Sequence, residues 1–188
     1  MLIKAAAVAS TLLTGSALPA LAAAPPPPPL ATPSASYSTI VLEQDVAKPA
    51  AQVWARVGKY CDIQEWFGLK CEITSGKGND LGTVRTLNGS TIEILVAKTD
   101  LSYTYAQPVR VGQTYNMYHG TLEVKPVTAT TSKLVYSLIF DGSLFADDAA
   151  RAADRTNRTN RFGQGLKNMK ILAEGGTLPP PAPPAAPR

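Results

Sequence analysis

Residues 82–100, GTVRTLNGSTIEILVAKTD, decide the fold class. Asn88-Gly89 is a strong hairpin signal, because both residues tolerate the positive φ that a tight connection between two strands demands. The flanking runs, 82–87 and 91–97, are rich in Val, Ile and Thr, as half-buried strands are. Register depends on the loop. A three-residue loop, Asn88-Gly89-Ser90, sets Leu87 opposite Thr91 and Arg85 opposite Glu93, with both charged side chains on one face. A strict two-residue turn pairs Arg85 with Ile92 and separates the charges. If both point inward, they must satisfy each other or a polar group of a ligand, since an isolated buried charge is expensive. An ordinary structural or exposed ion pair is the alternative.

The same pattern continues outward. Towards the C-terminus, Thr99-Asp100 turns into a strand at 101–106, residues 108–113 are a loop, and 115–124 and 134–140 are further strands. Pro126 and Asp141-Gly142 end the last two. Towards the N-terminus, a strand begins at Cys71 and Gly76-Lys77-Gly78-Asn79-Asp80 turns it. Before it lie two short helices. Pro49 suits the first turn of one, which presents Val53, Trp54 and Val57. Asp62 can cap the other, which presents Ile63, Trp66 and Phe67. Residues 37–47, YSTIVLEQDVA, alternate as a first strand.

Residues 147–173 contain no proline and read as a helix of six or seven turns. An apolar stripe runs from Ala149, Ala153 and Thr156 to Phe162, Leu166, Met169 and Ala173. Gly163 and Gly165 lower helix propensity by up to about 1 kcal/mol each, so a bend is expected there. Arg151, Arg155, Arg158 and Arg161 keep helical spacing on another face, either a solvated face or one open to weak contact with an anionic surface or a protein partner. The order is α+β: a curved antiparallel sheet wrapped around a long C-terminal helix, with two short helices after the first strand.

The ends carry a different message. Residues 1–22 have the order of a secretory signal peptide: Lys4, an apolar run, then Ala20-Leu21-Ala22 as a cleavage site. The alternative, a membrane anchor, is short for a bilayer and contains Pro19, so no stable membrane span is expected. Residues 23–36 form a proline-rich linker and 176–188 a proline-rich tail, with Pro25 to Pro29 consecutive. Extended polyproline II is expected in both, as a spacer or as a motif for an aromatic groove. The chain carries 18 basic and 14 acidic residues, a formal charge of +4, too weak to imply nucleic acid. Cys61 and Cys71 either form a disulfide in an oxidising compartment or pack unpaired. With His119 the lone histidine, they make a poor metal signature, and neither a metal nor a cofactor is expected. Periplasmic or secreted localisation follows.

Five segments together, VAKPAAQVWARVGKYCDIQEW (46–66), GTVRTLNGSTIEILVAKTD (82–100), YTYAQPV (103–109), YHGTLEVKPV (118–127) and the strand–loop–long helix ending, resemble a known superfamily. The chain is similar to START-like or Bet v 1-like (SRPBCC) helix-grip domains of the bacterial polyketide cyclase/dehydratase and lipid-transport group over nearly all of residues 38–173, within a domain expected at 37–175. The resemblance implies an apolar cavity between the sheet and the last helix, and roles in lipid carriage, hormone sensing or aromatic cyclisation. Glu93 and Arg85 match the family's Arg…Glu pattern. Bacterial members commonly continue Trp66 with His-Pro or Asn-Pro, where this chain has Phe67-Gly68. The gate loop of the plant hormone receptors is replaced by Leu87-Asn88-Gly89-Ser90, which disfavours a hormone receptor.

The ligand-binding candidates are Trp66, Arg85, Glu93, Tyr103, Tyr105, Tyr118 and Tyr136. Tyr103 and Tyr105 share a strand face, and Tyr136, Leu138 and Phe140 share another. Tyr118 faces away from Tyr115, Met117 and His119 if its strand is regular. Such aromatics suit either a cavity with a few hydroxyl donors or a plain core. His119 reads as a general base or as a structural histidine. The first functional expectation is an exported binding or carrier protein for a small apolar molecule, lipid or aromatic. The alternatives are a cyclase/dehydratase-like enzyme, which export disfavours, and a periplasmic accessory protein acting through protein contacts.

Overall fold

The structure, a computed structural model, describes residues 34–180. The signal-peptide expectation, most of the linker and the end of the tail lie outside these residues.

Seven strands form one antiparallel sheet: β1 (Tyr37–Val46), β2 (Cys71–Ser75), β3 (Val84–Leu87), β4 (Thr91–Thr99), β5 (Ser102–Ala106), β6 (Asn116–Pro126) and β7 (Ser132–Asp141). Their order across the sheet is β1-β7-β6-β5-β4-β3-β2, so every neighbouring pair except β1 and β7 is consecutive in the chain. Helices α1 (Ala50–Val57) and α2 (Ile63–Phe67) fill the step from β1 to β2, and α3 (Asp148–Ala173) ends the domain. The curved sheet and the long helix held against it make the expected helix-grip arrangement.

The quoted stretch behaves as its three-residue reading requires. Asn88 and Gly89 take φ of 49° and 70°, and Ser90 N–H donates to the Leu87 carbonyl at 3.1 Å. Leu87 therefore pairs with Thr91, and Arg85 with Glu93. Alternation then places Arg85, Leu87, Glu93 and Leu95 on the buried face.

Pro49 stands just before α1 as its N-cap. Asp62 precedes α2 but does not cap it with its side chain, contrary to expectation. Its backbone is already helical, and Oδ2 instead accepts from Lys59 N–H at 2.8 Å. Asp147 caps α3 in the usual way, accepting from Ala150 N–H at 2.7 Å.

Two expectations about α3 are corrected. The helix runs unbroken through Gly163 and Gly165. At Gly165 the missing side chain makes room: an added Cβ would lie 2.8 Å from the Phe67 ring. The apolar stripe is also shorter than the spacing suggests. Phe162, Gly165, Leu166, Met169 and Leu172 are buried, whereas Ala149, Ala153 and Thr156 are exposed. The C-terminal half of α3 is a core helix, and its N-terminal half overhangs an opening in the domain.

The cysteines are bonded, Cys61 to Cys71, with Cα atoms 5.6 Å apart. The bond closes a short loop that contains α2 and ties that helix to the edge strand β2.

Candidate functional site

The opening beneath the N-terminal half of α3 is a cavity of about 390 Å³, at the lower end of the range for small-molecule sites (about 300–1,000 Å³). Part of its lining is aromatic and aliphatic: Phe67 and Leu69 from the α2 region, Leu87, Tyr105 and Tyr118 from the sheet, and Phe162 from α3. The rest is polar: Glu93, Gln107, Tyr115 and, from α3, Asp154, Asn157, Arg158 and Arg161.

Glu93 reaches this cavity from a buried string of hydrogen bonds. Arg85 is fully buried and Glu93 is 3 % exposed. Arg85 Nε and Nη2 both donate to Glu93 Oε2, at 2.8 and 2.6 Å. Nη1 donates to the Tyr60 carbonyl, and the guanidinium lies over the Tyr60 ring, 4.0 Å from its centroid. Burial works against the Arg85 charge, but neighbouring Tyr103 and Glu93 more than offset this, and the guanidinium stays ionised. On the cavity side, Glu93 Oε1 accepts from Gln107 Nε2 at 3.0 Å, and Gln107 Oε1 accepts from the Tyr115 hydroxyl at 3.0 Å. A charge in the core is thus linked to a phenol at the cavity wall through one amide.

The tyrosines are set by packing. Tyr105 packs closely on Gly120, where an added Cβ would lie 2.4 Å from its Cζ and hydroxyl oxygen. Its hydroxyl and that of Tyr136 are 3.0 Å apart. Burial pushes both phenols well above the ordinary tyrosine range, and it raises Tyr118 too, against the opposing charge of Arg158. All three remain O–H groups at neutral pH, able to orient a polar atom but not to act as phenolate bases.

Arg158 crosses from α3 to the sheet. Its guanidinium sits 4.7 Å from the Tyr115 centroid, 5.1 Å from Tyr118 and 4.6 Å from Phe140, while Nε pairs with Asp154 Oδ2 at 2.6 Å. This depends on a further departure from expectation. The pairing of β6 with β7 is irregular between Asn116 and His119, with Met117 at φ 52°, and Tyr115 lies beside Tyr118, their rings 5.4 Å apart, rather than facing away.

Of the residues singled out from sequence, Glu93, Tyr105 and Tyr118 line this cavity. Arg85 and Tyr136 are buried behind it. Trp66 is 1 % exposed and packs on Phe67 and Tyr136. Tyr103 lines a different cavity of about 370 Å³, with Trp54, Gly58 and Lys98, near the β4–β5 turn. Glu93 and Leu95, and likewise Tyr105 and Tyr103, are two apart on the same strand faces, and one of each pair meets each cavity. Arg85 stacks on Tyr60 at the level between them. His119 lies outside both cavities, its Nδ1 2.8 Å from the Met117 carbonyl.

Sequence reading missed Gln107 and Tyr115, which come from an irregular loop without periodicity. Arg158 and Arg161 were visible as members of a helical arginine row. The row is not one solvated face: Arg151 pairs with Asp148, Arg158 turns to the sheet, and Arg161 stands 4.7 Å over the Phe67 ring. Among the described residues, no helix is long and apolar enough to cross a membrane, and no group of three His, Cys, Asp or Glu is placed to hold a metal.

The fold is shared with proteins of distant sequence. Truncated norcoclaurine synthase from Thalictrum flavum matches with a TM-score of 0.61 at 14 % identity, covering 78 % of this chain and 99 % of that one. The Zhui aromatase/cyclase from Streptomyces sp. R1128 matches at 0.58 and 18 % identity, covering 76 % and 100 %. A protein of Nitrosospira multiformis matches at 0.57 and 21 % identity, covering 72 % and 96 %. At these identities the likeness is one of fold. No curated protein matches the sequence. The model of one family does match, over residues 38–174, and the chain belongs to that family, described as polyketide cyclase / dehydrase and lipid transport.

Proposed function

We propose that this domain binds and carries a small, largely apolar molecule in the cavity between the sheet and α3. The observation that carries the reading is the cavity itself, with Phe67, Leu69, Leu87 and Phe162 offering apolar surface and Glu93, Gln107 and the tyrosines offering a few fixed polar atoms. Removal of ligand surface from water drives binding, and the polar atoms orient the ligand. Family membership supports hydrophobic-ligand binding or cyclase/dehydrase-like chemistry. Glu93 favours the former: Oε2 already accepts two donors from Arg85 and Oε1 one from Gln107, an arrangement suited to holding a group still. Export to the periplasm or beyond is part of the proposal, supported by the signal-like residues 1–22 and by a disulfide of the kind that persists in oxidising compartments.

The test is titration with the neutral fluorescent amine N-phenyl-1-naphthylamine. The native protein should bind one equivalent with micromolar or tighter affinity. Ser90→Trp, which fills the cavity from its hairpin rim, should lower the affinity at least about tenfold. Equal binding by the two proteins would remove the cavity as the site.

A further inference from the structure

We infer that the ligand carried in this cavity is amphipathic, with a single anionic group, carboxylate, sulfonate or phosphate, that rests on Arg161 at the mouth. This rests on the carrier reading above and narrows it.

The argument is charge accounting at one opening. Glu93, inside, is neutralised by Arg85. Asp154 and Arg158, both on the wall, neutralise each other at 2.6 Å. Arg161 also lines the cavity, and among the described residues no carboxylate lies within ion-pair distance of it. Its contact is the Phe67 ring, whose face takes the guanidinium at 4.7 Å and leaves its N–H edge for an acceptor. Arg110 adds a second positive charge close by. It hydrogen-bonds the carbonyl of Ser90, a cavity residue, and it too has no carboxylate partner among the described residues. Three arginines therefore stand at or beside the mouth against one aspartate.

A neutral ligand would leave that field unused. A dicarboxylate would have to bury its second charge without a free cation inside, since Arg85 is already paired with Glu93. One anionic end on Arg161 with an apolar body against Phe67, Phe162 and Tyr118 uses both the charged and the apolar parts of the lining. The low charge of the interior and the positive rim set the orientation, apolar end inward.

The test compares two probes with one carbon skeleton: N-phenyl-1-naphthylamine and its sulfonate, 8-anilinonaphthalene-1-sulfonate, with mutual displacement to show a shared site. The sulfonate should bind about fivefold more tightly, the scale of a partly exposed ion pair. Arg161→Gln should bring the affinities of the two probes to within about twofold of each other, and Arg161→Lys should keep part of the preference. High salt should shrink the preference as well. Equal affinities for the two probes in the native protein, or a Gln variant that weakens both alike, would overturn the inference and leave the carrier reading standing. Failure of both probes to bind would reject the carrier reading, and the inference with it.

Discussion

Replacing Glu93 by leucine should destabilise the domain more than any surface change, and the cost can be estimated from the contacts that remain. The substitution leaves the Arg85 charge fully buried with one carbonyl acceptor, that of Tyr60, and with the Tyr60 ring 4.0 Å away. Breaking a buried ion pair by removing one partner costs about 3–5 kcal/mol. The remaining cation–π contact is worth about 1–2 kcal/mol when desolvated, so the lower end, about 3 kcal/mol, is expected. Removing both charges is different. Arg85→Met with Glu93→Leu deletes the desolvation cost together with the attraction and should lie within about 1 kcal/mol of the native protein. Urea unfolding with the disulfide intact measures both. With a slope of about 2 kcal/mol/M, Glu93→Leu should lower the midpoint by roughly 1.5 M and the double variant should restore most of it. A single-variant cost below about 1 kcal/mol, or a double variant no better than the single, would show that the two side chains do not depend on each other.

Three smaller predictions concern α2 and α3. Gly163→Ala should stabilise the domain by about 0.5–1 kcal/mol, because nothing lies within 4 Å of the new methyl and alanine is the better helix former. Gly165→Ala should destabilise it by about 1–2 kcal/mol despite the same propensity gain, because the methyl meets the Phe67 ring at 2.8 Å; thermal unfolding of the two variants side by side checks the opposite signs. Reduction of Cys61–Cys71, followed by the mass gain of two hydrogens, should cost about 2–3 kcal/mol from loop closure and loosen α2, measured as faster amide exchange at Ile63 and Phe67.

The strands and the pairing of Arg85 with Glu93 were legible because alternation and turn chemistry are local. Even there, two turn lengths fitted the letters. Which one forms is settled by Ser90 joining the loop, and that reverses which side chains meet. The glycines of α3 show the opposite limit. Propensity describes an isolated backbone, so it foretold a bend at Gly165. The ring of Phe67, nearly a hundred residues earlier, determines what the glycine is for. Spacing likewise extended the apolar stripe through Ala149 and Ala153, since periodicity does not say where the sheet ends beneath a helix. Nothing in the sequence marked Gln107 or Tyr115 as cavity residues. Their position depends on a loop and on the irregular start of β6, and only the folded chain brings them to Glu93.

The buried pair also bears on what the interior is for. If the Met/Leu double variant is as stable as argued, stability does not require charges in the centre of the domain, and a simpler apolar core would hold the sheet to α3 equally well. The pair does something an apolar core would not. It presents the Oε1 side of Glu93 towards the larger cavity, in a fixed direction set by two Arg85 nitrogens, and it positions Gln107 and through it the Tyr115 hydroxyl. It also keeps Tyr60 and Arg85 packed at the level between that cavity and the one lined by Tyr103. The double variant should therefore fold normally yet bind the neutral probe with altered affinity, because the fixed polar atoms of the wall are gone while its apolar surface remains. Unchanged binding in a stable double variant would make Arg85 and Glu93 a purely structural pair, with no part in holding ligand.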